Sequence, residues 1–451
     1  MRYQFKDKGL PDVLLRINDD QITYDVNRSA PASRTIIKNG RVIDPYNQLD
    51  AQMDIALINS TIENVSAEIN PAPGDRVIDA RGLIIMPGIM DMHLHVYDIP
   101  VFQVKVMEEA AVHGITTALT AGAANTIRAT SFFASEVDRG SLINLGCFVG
   151  APALLAADVP EEELVNFLLG RMDEDEAMQK LVRSRIAART APYLIGIKDH
   201  HSHLVLSPRQ MQKVARLAAD SKLLFMSHTQ CPEYAGEIVE HSKGHHVHFG
   251  HCDASACGSH GDGRQAFKIV LDLIAKNNNV TGEFTSTLLR PSGGDRDGIR
   301  IPDECREMAF QALRDGVVEI IVSDGPSHAS KGFGDTKDSV PLLCELIEQK
   351  ILSPLDAVAT MTLNPARLMS RATRSGWWEK ELGSLAPGSR ADLICVNPLE
   401  KEVAYTFVYG EMVAFEGRVV TTGYGSGGWV TRLGIFQRTG LGDLSRLAIK
   451  K

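Results

Sequence analysis

Between Met86 and about Ser370, short apolar runs alternate with longer amphipathic segments, and this alternation constrains the fold more than any other feature. Eight runs have the composition of strands: LIIMPGIMDMHLH, GITTALTAG, INLGCFVGAPA, LIGIKDHHS, KLLFMSHTQ, HHVHFGHCDA, NVTGEFTST and VEIIVSDGPS. Segments between them, such as SPRQMQKVARLAADSK, have the apolar spacing of helices. Repeated strand–helix units build a parallel sheet, and eight of them predict a closed (β/α)8 barrel over residues 86–370.

The sequence on both sides of the predicted barrel has the texture of short strands. From Thr35 to Ala80, strand-like stretches are broken by turn residues, and Asn39-Gly40 is a hairpin signal between two β-branched runs. After the barrel, GSLAPGSRADLICVN and VAYTFVYGEMVAFEGRVV return to this texture. We therefore expect residues 1–85 and 371–451 to form one smaller, β-sandwich-like domain. Residues 1–34 match no clear pattern and are interpreted as an extension of it.

The composition indicates a globular protein and argues against two classes of partner. The 451 residues suffice for a barrel and a smaller domain, and the net charge of −9 argues against a nucleic acid or an anionic membrane as partner. No apolar run reaches the roughly 20 residues that span a bilayer, and the first residues contain no secretory signal. Seven cysteines form no CxxC pair, which is typical of free thiols in the cytoplasm. We expect a cytoplasmic homo-oligomer that acts on a small molecule.

A His-x-His pair follows the first predicted barrel strand. His93 and His95 come directly after Met86-Pro87-Gly88-Ile89-Met90-Asp91-Met92. In an extended strand, residues two positions apart point to the same face, so both imidazoles could bind one metal ion through ring nitrogens. Such a pair also arises by chance among buried histidines. The residue types at the other strand ends favour the metal.

Barrel enzymes place reactive residues at the carboxyl ends of their strands. The fourth, fifth, sixth and eighth predicted strands end in Lys198, His228, His251 and Asp324. Neutral imidazoles and a carboxylate suit Zn²⁺, with Mn²⁺, Fe²⁺ or Co²⁺ as alternatives. A metal bound there would lower the pKa of water to roughly 7 and supply hydroxide at neutral pH.

Each of these residues has an alternative interpretation. His228 could be a core histidine, and Asp324 could cap a helix. His248 and His251 would face opposite ways in a regular strand, so His251, nearest the strand's end, is favoured as the ligand, with His248 as the alternative. A protonated Lys198 cannot bind a cation and could instead pair with a carboxylate such as Asp199.

Taken together, these residues resemble the amidohydrolase superfamily, and within it the dihydroorotase- and hydantoinase-like metal-dependent hydrolases. The resemblance includes the HxH after MPGIMD, the strand-four lysine, two later single histidines and the strand-eight aspartate. It extends from about Thr35 to Val420 and includes the segments GSLAPGSRADL and TLNPARLM. The strand-eight SDGPSH differs from the DHAPH expected of dihydroorotases, which argues against a role in pyrimidine biosynthesis.

The resemblance implies a centre with two divalent metal ions, most simply Zn²⁺. In that family the strand-four lysine is N-carboxylated by CO₂ and bridges the two ions, together with a hydroxide. Carried over to this chain, the implied ligands are His93, His95 and Asp324 for the buried metal, His228 and His251 for the outer metal, and carboxylated Lys198 between them.

Four further residues are candidates for substrate binding: His200, His260, Arg290 and His328. His200 follows the strand-four lysine, and His328 follows the strand-eight aspartate. His260 and Arg290 lie in glycine-rich loops after strands six and seven. Solvated loop residues or residues that support the metal ligands are the alternatives.

The function predicted from these residues is hydrolysis of a C–N bond in a cyclic or N-acyl amide. The bridging hydroxide would attack the carbonyl, with Asp324 as general base and then general acid. Two alternatives remain open. A deaminase with one metal ion would need an acid after strand five, where His228 is not followed by an HxxE pattern. A non-catalytic scaffold on the same fold would typically lack the ligands.

Overall fold

The computed structural model describes residues 13–18, 21–26, 34–96, 106–122, 125–201, 204–291, 300–325, 334–420 and 426–436. Within these parts of the chain, no helix is both long enough and apolar enough to cross a bilayer.

In the part of the chain that the structure describes, seven strands precede the barrel: β1 Val13–Asn18, β2 Gln21–Val26, β3 Arg34–Asp44, β4 Leu49–Ile58, β5 Thr61–Ser66, β6 Arg76–Asp79 and β7 Ile84–Pro87. β1 and β2 form a separate antiparallel hairpin in the region that matches no sequence pattern. The other five belong to the larger mixed sheet of the small domain.

Eight parallel strands form the barrel: β8 Ile89–Asp91, β9 Ile115–Thr120, β10 Asn144–Gly150, β11 Gly196–Lys198, β12 Leu224–His228, β13 Val247–Gly250, β14 Val280–Thr285 and β15 Ile320–Val322. Each strand pairs with the next along the chain. The first and last strands are joined just beyond their ends, where the His95 amide donates to the Gly325 carbonyl at 2.8 Å. The predicted (β/α)8 barrel is confirmed.

Helices surround the barrel and connect its strands. They are α1 Val106–Val112, α2 Ala129–Gly140, α3 Ala151–Leu155, α4 Glu161–Leu168, α5 Glu174–Lys180, α6 Arg185–Thr190, α7 Pro208–Ser221, α8 Pro232–His241, α9 Gly263–Lys276, α10 Ser286–Leu289, α11 Asp303–Arg314, α12 Ser339–Glu348, α13 Pro354–Met361, α14 Leu363–Thr373 and α15 Trp377–Leu382. Short 3₁₀ turns occupy Ala191–Tyr193, Cys252–Cys257 and Thr336–Asp338.

Helix α7 shows most clearly how the local sequence determines where a helix begins and ends. Ser207 and Gln210 form a reciprocal capping box, and Pro208 stands at the first helical position, where its missing amide hydrogen costs nothing. The helix ends at Lys222, which adopts the left-handed conformation with φ 57°. Its apolar side chains, including Met211, are buried against the barrel.

Among the described residues after the helices there are six strands: β16 Leu393–Asn397, β17 Glu402–Val408, β18 Glu411–Phe415, β19 Arg418–Val419, β20 Trp429–Thr431 and β21 Gly434–Phe436. The strand order of the small domain is β19-β18-β17-β16-β7-β3-β4-β5, with β6 beside β3. β16 is antiparallel to β7, so strands from the two chain ends meet in the middle of this sheet. The predicted β-rich domain built from both ends of the chain is confirmed.

The assignment of all of residues 371–451 to the small domain needs correction. β20 pairs with β10 of the barrel, and β21 pairs with β20. The physical reason is the short length of β11. Within β10 it pairs with Phe148–Gly150, so the first half of that edge of β10 is left for β20. In addition, Trp378 and Leu382 of α15 pack against barrel residues.

The predicted hairpin at Asn39-Gly40 is also wrong. β3 continues through both residues, and its pairing with β4 shifts there as a bulge. Asn39 has φ 65°, and its amide donates to Asp54 Oδ1 at 2.8 Å. The hairpin turn lies later, at residues 45–48. Asn-Gly supplies a left-handed backbone, which a bulge needs as much as a tight turn does.

The interior of the barrel contains a separate apolar cluster. It joins alternate strand residues such as Met90, Leu224 and Ile320 to Trp378, all of them almost completely buried. Because alternate residues of a barrel strand face inward, this cluster fills the interior near the amino-terminal ends of the strands. Polar residues are therefore concentrated toward the carboxyl ends.

Candidate metal centre

The six residues predicted as metal ligands all lie at carboxyl ends of barrel strands. His93 and His95 follow β8, Lys198 ends β11, His228 ends β12, His251 follows β13 and Asp324 follows β15. Five of them are buried, and His95 is a quarter exposed. Six side chains distant in sequence thus meet at one end of the barrel.

Three of these residues form a compact donor group. The ligand atoms of His93, His251 and Asp324 all lie within 4.8 Å of one another. His93 Nε2 is 3.4 Å from Asp324 Oδ1. With metal–ligand bonds of about 2.0–2.2 Å and tetrahedral angles, neighbouring ligand atoms stand about 3.4 Å apart. The distance between His93 and Asp324 therefore fits two ligands of one divalent metal ion, and the ligand atom of His251 lies beside them.

Two more imidazoles border this group. His95 Nε2 lies 3.1 Å from Asp324 Oδ1. The ring of His228 lies 4.3 Å from that of His251, measured between centroids. The imidazoles of both predicted sub-sites are therefore adjacent in the structure.

Lys198 is fully buried beside the same group. A β-carbon added to Gly250 would lie 3.0 Å from Lys198 Nζ and 3.0 Å from His93 Cε1. The absence of a side chain at Gly250 thus leaves room for the lysine to approach the imidazoles. Neighbouring Asp199 accepts hydrogen bonds from the His228 amide at 3.1 Å and the Tyr234 hydroxyl at 2.8 Å.

Backbone geometry explains how His251, after β13, and Asp324, after β15, reach the centre. His251 has φ 37° and Asp324 has φ 50°, both in the left-handed region. This conformation breaks the alternation of a strand, so His251 joins His93 and Asp324 although the position of His248 also faces the interior. Left-handed residues with side chains are uncommon and concentrate at functional sites.

The electrostatic environment keeps the imidazoles neutral. Burial lowers the pKa of His251 to about 3. Burial, with the positive charge of Lys198, also lowers the pKa of His93. The pKa of His228 is lowered well below its ordinary value by burial and by the neighbouring His251. Since metals bind the neutral imidazole, these shifts favour a metal over a proton.

Asp324 is ionised in this environment. Burial alone would raise its pKa, but the neighbouring His93, His251 and His95 outweigh burial and lower it. The carboxylate therefore stays available as an acceptor or a ligand at neutral pH.

Sequence reasoning missed Glu283, a fully buried carboxylate on β14. It accepts hydrogen bonds from His93 Nδ1 and, at 3.0 Å, from His248 Nε2. The signal was present in NVTGEFTST, where Thr281, Glu283 and Thr285 place polar groups at every second position of a buried strand.

Asp91 was also missed. Its carboxylate accepts from the His93 amide at 3.1 Å and from the Ser323 amide at 3.0 Å, so it joins the ends of the first and last barrel strands. Burial raises the pKa of Asp91 to about 6. An acid two positions before an HxH, at the end of an apolar run, is the signal that could have identified it.

The candidates for substrate binding are placed differently from one another. The ring of His200 stacks on that of His228 at 4.0 Å, next to the donor group. The ring of His260 lies beside that of His201, with 5.7 Å between the ring centroids. The guanidinium of Arg290 is bound by Asp338 and by Glu345 of α12, within the helix layer. His328 lies outside the described residues.

Comparison with known proteins adds independent information. The profile of the amidohydrolase family matches residues 84–413. A dihydroorotase of Syntrophus aciditrophicus is 24% identical over 412 residues, which cover 81% of this chain and 90% of that protein.

Solved structures show the same fold. A D-hydantoinase from Bacillus sp. AR9 superimposes with a TM-score of 0.65 at 16% identity, covering 89% of this chain and 99% of the other. An L-hydantoinase (dihydropyrimidinase) from Arthrobacter aurescens gives a TM-score of 0.64 at 17% identity, with coverage of 89% and 100%.

Proposed function

This chain belongs to the amidohydrolase family and is a hydrolase of carbon–nitrogen bonds other than peptide bonds, and we propose that it opens a cyclic amide. The relatives named dihydroorotase and hydantoinase support this class of substrate. N-acyl amides are a second class, favoured by the structural similarity to an N-acyl-D-glutamate deacylase from Bordetella bronchiseptica at a TM-score of 0.62.

The observation that supports the proposal most directly is the donor group of His93, His251 and Asp324. We assign His93, His95 and Asp324 to a buried divalent metal ion, and His228 and His251 to an outer one. Divalent ions bound there, most simply Zn²⁺, would polarise the amide carbonyl and lower the pKa of water. Metal dependence is typical of this family.

Lys198 would bridge the two ions as its N-carboxylate. The Lys198 ammonium first loses one proton. The neutral amine then adds to CO₂, a nitrogen–carbon bond forms and a second proton is released, so a cation becomes an anion. As an ammonium, Lys198 lowers the pKa values of His93 and His228 by repelling positive charge, and it would repel metal ions in the same way. As a carbamate, the same buried side chain would attract them.

Asp324 would move the proton during hydrolysis. Its carboxylate accepts a proton from the attacking water, whose oxygen bonds to the carbonyl carbon. It then gives that proton to the nitrogen as the C–N bond breaks. His95 Nε2 lies 3.1 Å from Oδ1, a distance at which both atoms could bind the buried ion assigned to them.

Metal analysis and a substrate screen test this function together. We expect about two Zn²⁺ or Mn²⁺ per chain after reconstitution, with hydrolysis of hydantoins, dihydropyrimidines or cyclic imides. N-acyl amino acids serve as the second arm. One ion per chain with release of ammonia would favour a deaminase, and a folded protein that takes up no metal would refute the proposal.

Asp324→Asn separates proton transfer from folding. The amide keeps the size and one oxygen but cannot accept a proton as a carboxylate does. We expect kcat to fall by about 10²–10⁴ while the variant stays folded and retains metal. Asp335→Asn is the control, because Asp335 is a comparably buried acid whose side chain accepts from the Lys337 amide. Unchanged kcat in Asp324→Asn at full metal content would rule out the proton transfer.

Lys198→Ala tests the bridge. We expect this variant to lose the second metal ion, and short carboxylic acids such as acetate to restore part of the binding by replacing the carbamate. Full loading without any added acid would contradict a bridging role for Lys198.

A further inference from the structure

The interior face of β14 contains a row of polar side chains below the proposed metal centre. Thr281 and Glu283 are two positions apart on this strand and therefore face the same way. On the neighbouring β13, His248 points into the same layer, and His246 lies just before that strand. These four residues extend from the amino-terminal part of the barrel to the proposed ligand His93.

A continuous series of hydrogen bonds connects them. His246 Nε2 is 3.1 Å from Thr281 Oγ1, and His248 Nδ1 is 2.8 Å from the same oxygen. His248 Nε2 is 3.0 Å from Glu283 Oε2, and the other carboxylate oxygen, Oε1, bonds to His93 Nδ1. The series thus ends on a ring that belongs to the donor group.

Hydrogen-bond chemistry fixes the direction of both bonds to Glu283, and a neutral His248 ring would fix the bonds to Thr281 as well. An ionised carboxylate only accepts, so His248 Nε2 and His93 Nδ1 must each donate to Glu283. In a neutral His248 ring the other nitrogen has no proton, so the Thr281 hydroxyl donates to it. The Thr281 oxygen then accepts from His246 Nε2.

The hydrogen bond to Glu283 determines the tautomer of His93. With its proton held on Nδ1, the lone pair of Nε2 faces Asp324 Oδ1 at 3.4 Å. Two acceptor atoms facing each other at this distance repel, unless a cation lies between them. The tautomer that Glu283 imposes is therefore the one that binds a metal.

We propose that Glu283 is a positioning residue that fixes the tautomer and orientation of His93 for metal binding, and that His248 and Thr281 in turn hold Glu283. This inference depends on the metal centre proposed above. Carboxylates that hold a ligating imidazole typically change metal affinity by about 10- to 100-fold when they are replaced.

Zn²⁺ affinity of the metal-free protein, measured by chelator competition, tests this role without any assay of activity. We expect Glu283→Gln to weaken Zn²⁺ binding by about 10- to 100-fold and to change the visible spectrum of the Co²⁺ form. His248→Gln should weaken binding less, and the double variant should be no worse than Glu283→Gln, because His248 acts through Glu283.

Asp253→Asn is the matched control. Asp253 is a fully buried carboxyl close to the same strand ends, and it accepts from the Thr285 amide, a bond that an asparagine oxygen can also make. We expect its Zn²⁺ affinity and Co²⁺ spectrum to match those of the wild type. Equal Zn²⁺ affinities in Glu283→Gln and wild type would overturn this inference but not the proposed function. A wild-type protein that binds no Zn²⁺ would overturn both.

A second pair of variants keeps the test valid if replacement of Glu283 prevents folding. Thr281→Val removes the hydroxyl that fixes His248 and should weaken Zn²⁺ binding by about 2- to 10-fold, the usual contribution of one hydrogen bond. Thr285→Val changes the same residue type on the same face of β14, and Thr285 makes no contact with His248 that the structure describes. Equal Zn²⁺ affinities in these two variants would overturn the inference.

Discussion

A buried ionic network connects the barrel to the small domain, and we expect Asp392→Ala to destabilise the protein strongly. Asp392 accepts hydrogen bonds from Arg390 Nε at 2.8 Å, from Asn144 Nδ2 at 2.7 Å and from the Tyr409 amide at 2.6 Å. The side chains of Asp392 and Arg390 are 1% and 6% exposed. Arg390 also lies over the ring of Tyr409, at 4.2 Å from its centroid. Alanine would leave the guanidinium and two further donors buried without the carboxylate.

The expected loss in the free energy of unfolding is about 3–5 kcal/mol, the usual cost of removing one member of a buried ion pair. Urea denaturation followed by circular dichroism and tryptophan fluorescence measures it. Replacing both Asp392 and Arg390 with leucine should cost less than Asp392→Ala, since no charge is then left buried. Asp50→Ala is the control, because the Arg41–Asp50 pair is exposed, and it should cost less than about 1 kcal/mol. Equal losses in Asp392→Ala and Asp50→Ala would refute this reasoning.

Three further predictions concern single positions. Burial lowers the pKa of His246 from 6.5 to about 4, so the unfolded chain takes up its proton first and stability should fall as pH drops through that range. His246→Gln should lose less stability than wild type over the same range in urea titrations, and parallel curves would contradict this. Gly196→Ala would place a β-carbon 2.1 Å from the ring of Phe148 and should cost at least about 1–3 kcal/mol by urea denaturation, a cost that unchanged stability would exclude. Gly250→Ala would place a methyl group 3.0 Å from Lys198 Nζ. This variant should contain less metal by elemental analysis while its circular dichroism spectrum stays unchanged. Full metal content would show that Lys198 can move away from the added methyl group.

The barrel could be predicted from sequence because its signal is local. A parallel strand is buried on both faces, so it appears as a continuous apolar run, and its carboxyl end is where that run stops. The run that becomes β12 ends at His228, and the last barrel strand is followed two residues later by Asp324. The residues at the ends of these runs therefore include the six proposed ligands, which lie at one end of the barrel.

Other features depend on contacts that no local pattern contains. Glu283 lies in the middle of a strand, and its partners His248 and His93 are 35 and 190 residues away in sequence. The pairing of β20 with β10 depends on an edge left open by the length of β11. Asn-Gly favours a left-handed backbone, but the partner strand decides whether that backbone forms a bulge or a turn, and the predicted turn at Asn39-Gly40 was wrong.

The carboxylates that hold the strand ends also orient the proposed ligands. Two of the proposed ligands, His251 and Asp324, adopt left-handed conformations, each of which costs about 1–2 kcal/mol. Hydrogen bonds to buried carboxylates offset this cost: Glu283 accepts from the His251 amide at 3.3 Å, and Asp91 accepts from the Ser323 amide next to Asp324. Each of these acids also binds His93, Glu283 at the ring and Asp91 at the amide. Replacing Glu283 or Asp91 should therefore lower both the stability of the fold and the affinity for metal. The side chain of Asp324 makes none of these bonds between strand ends, so Asp324→Asn should change proton transfer while the barrel stays closed.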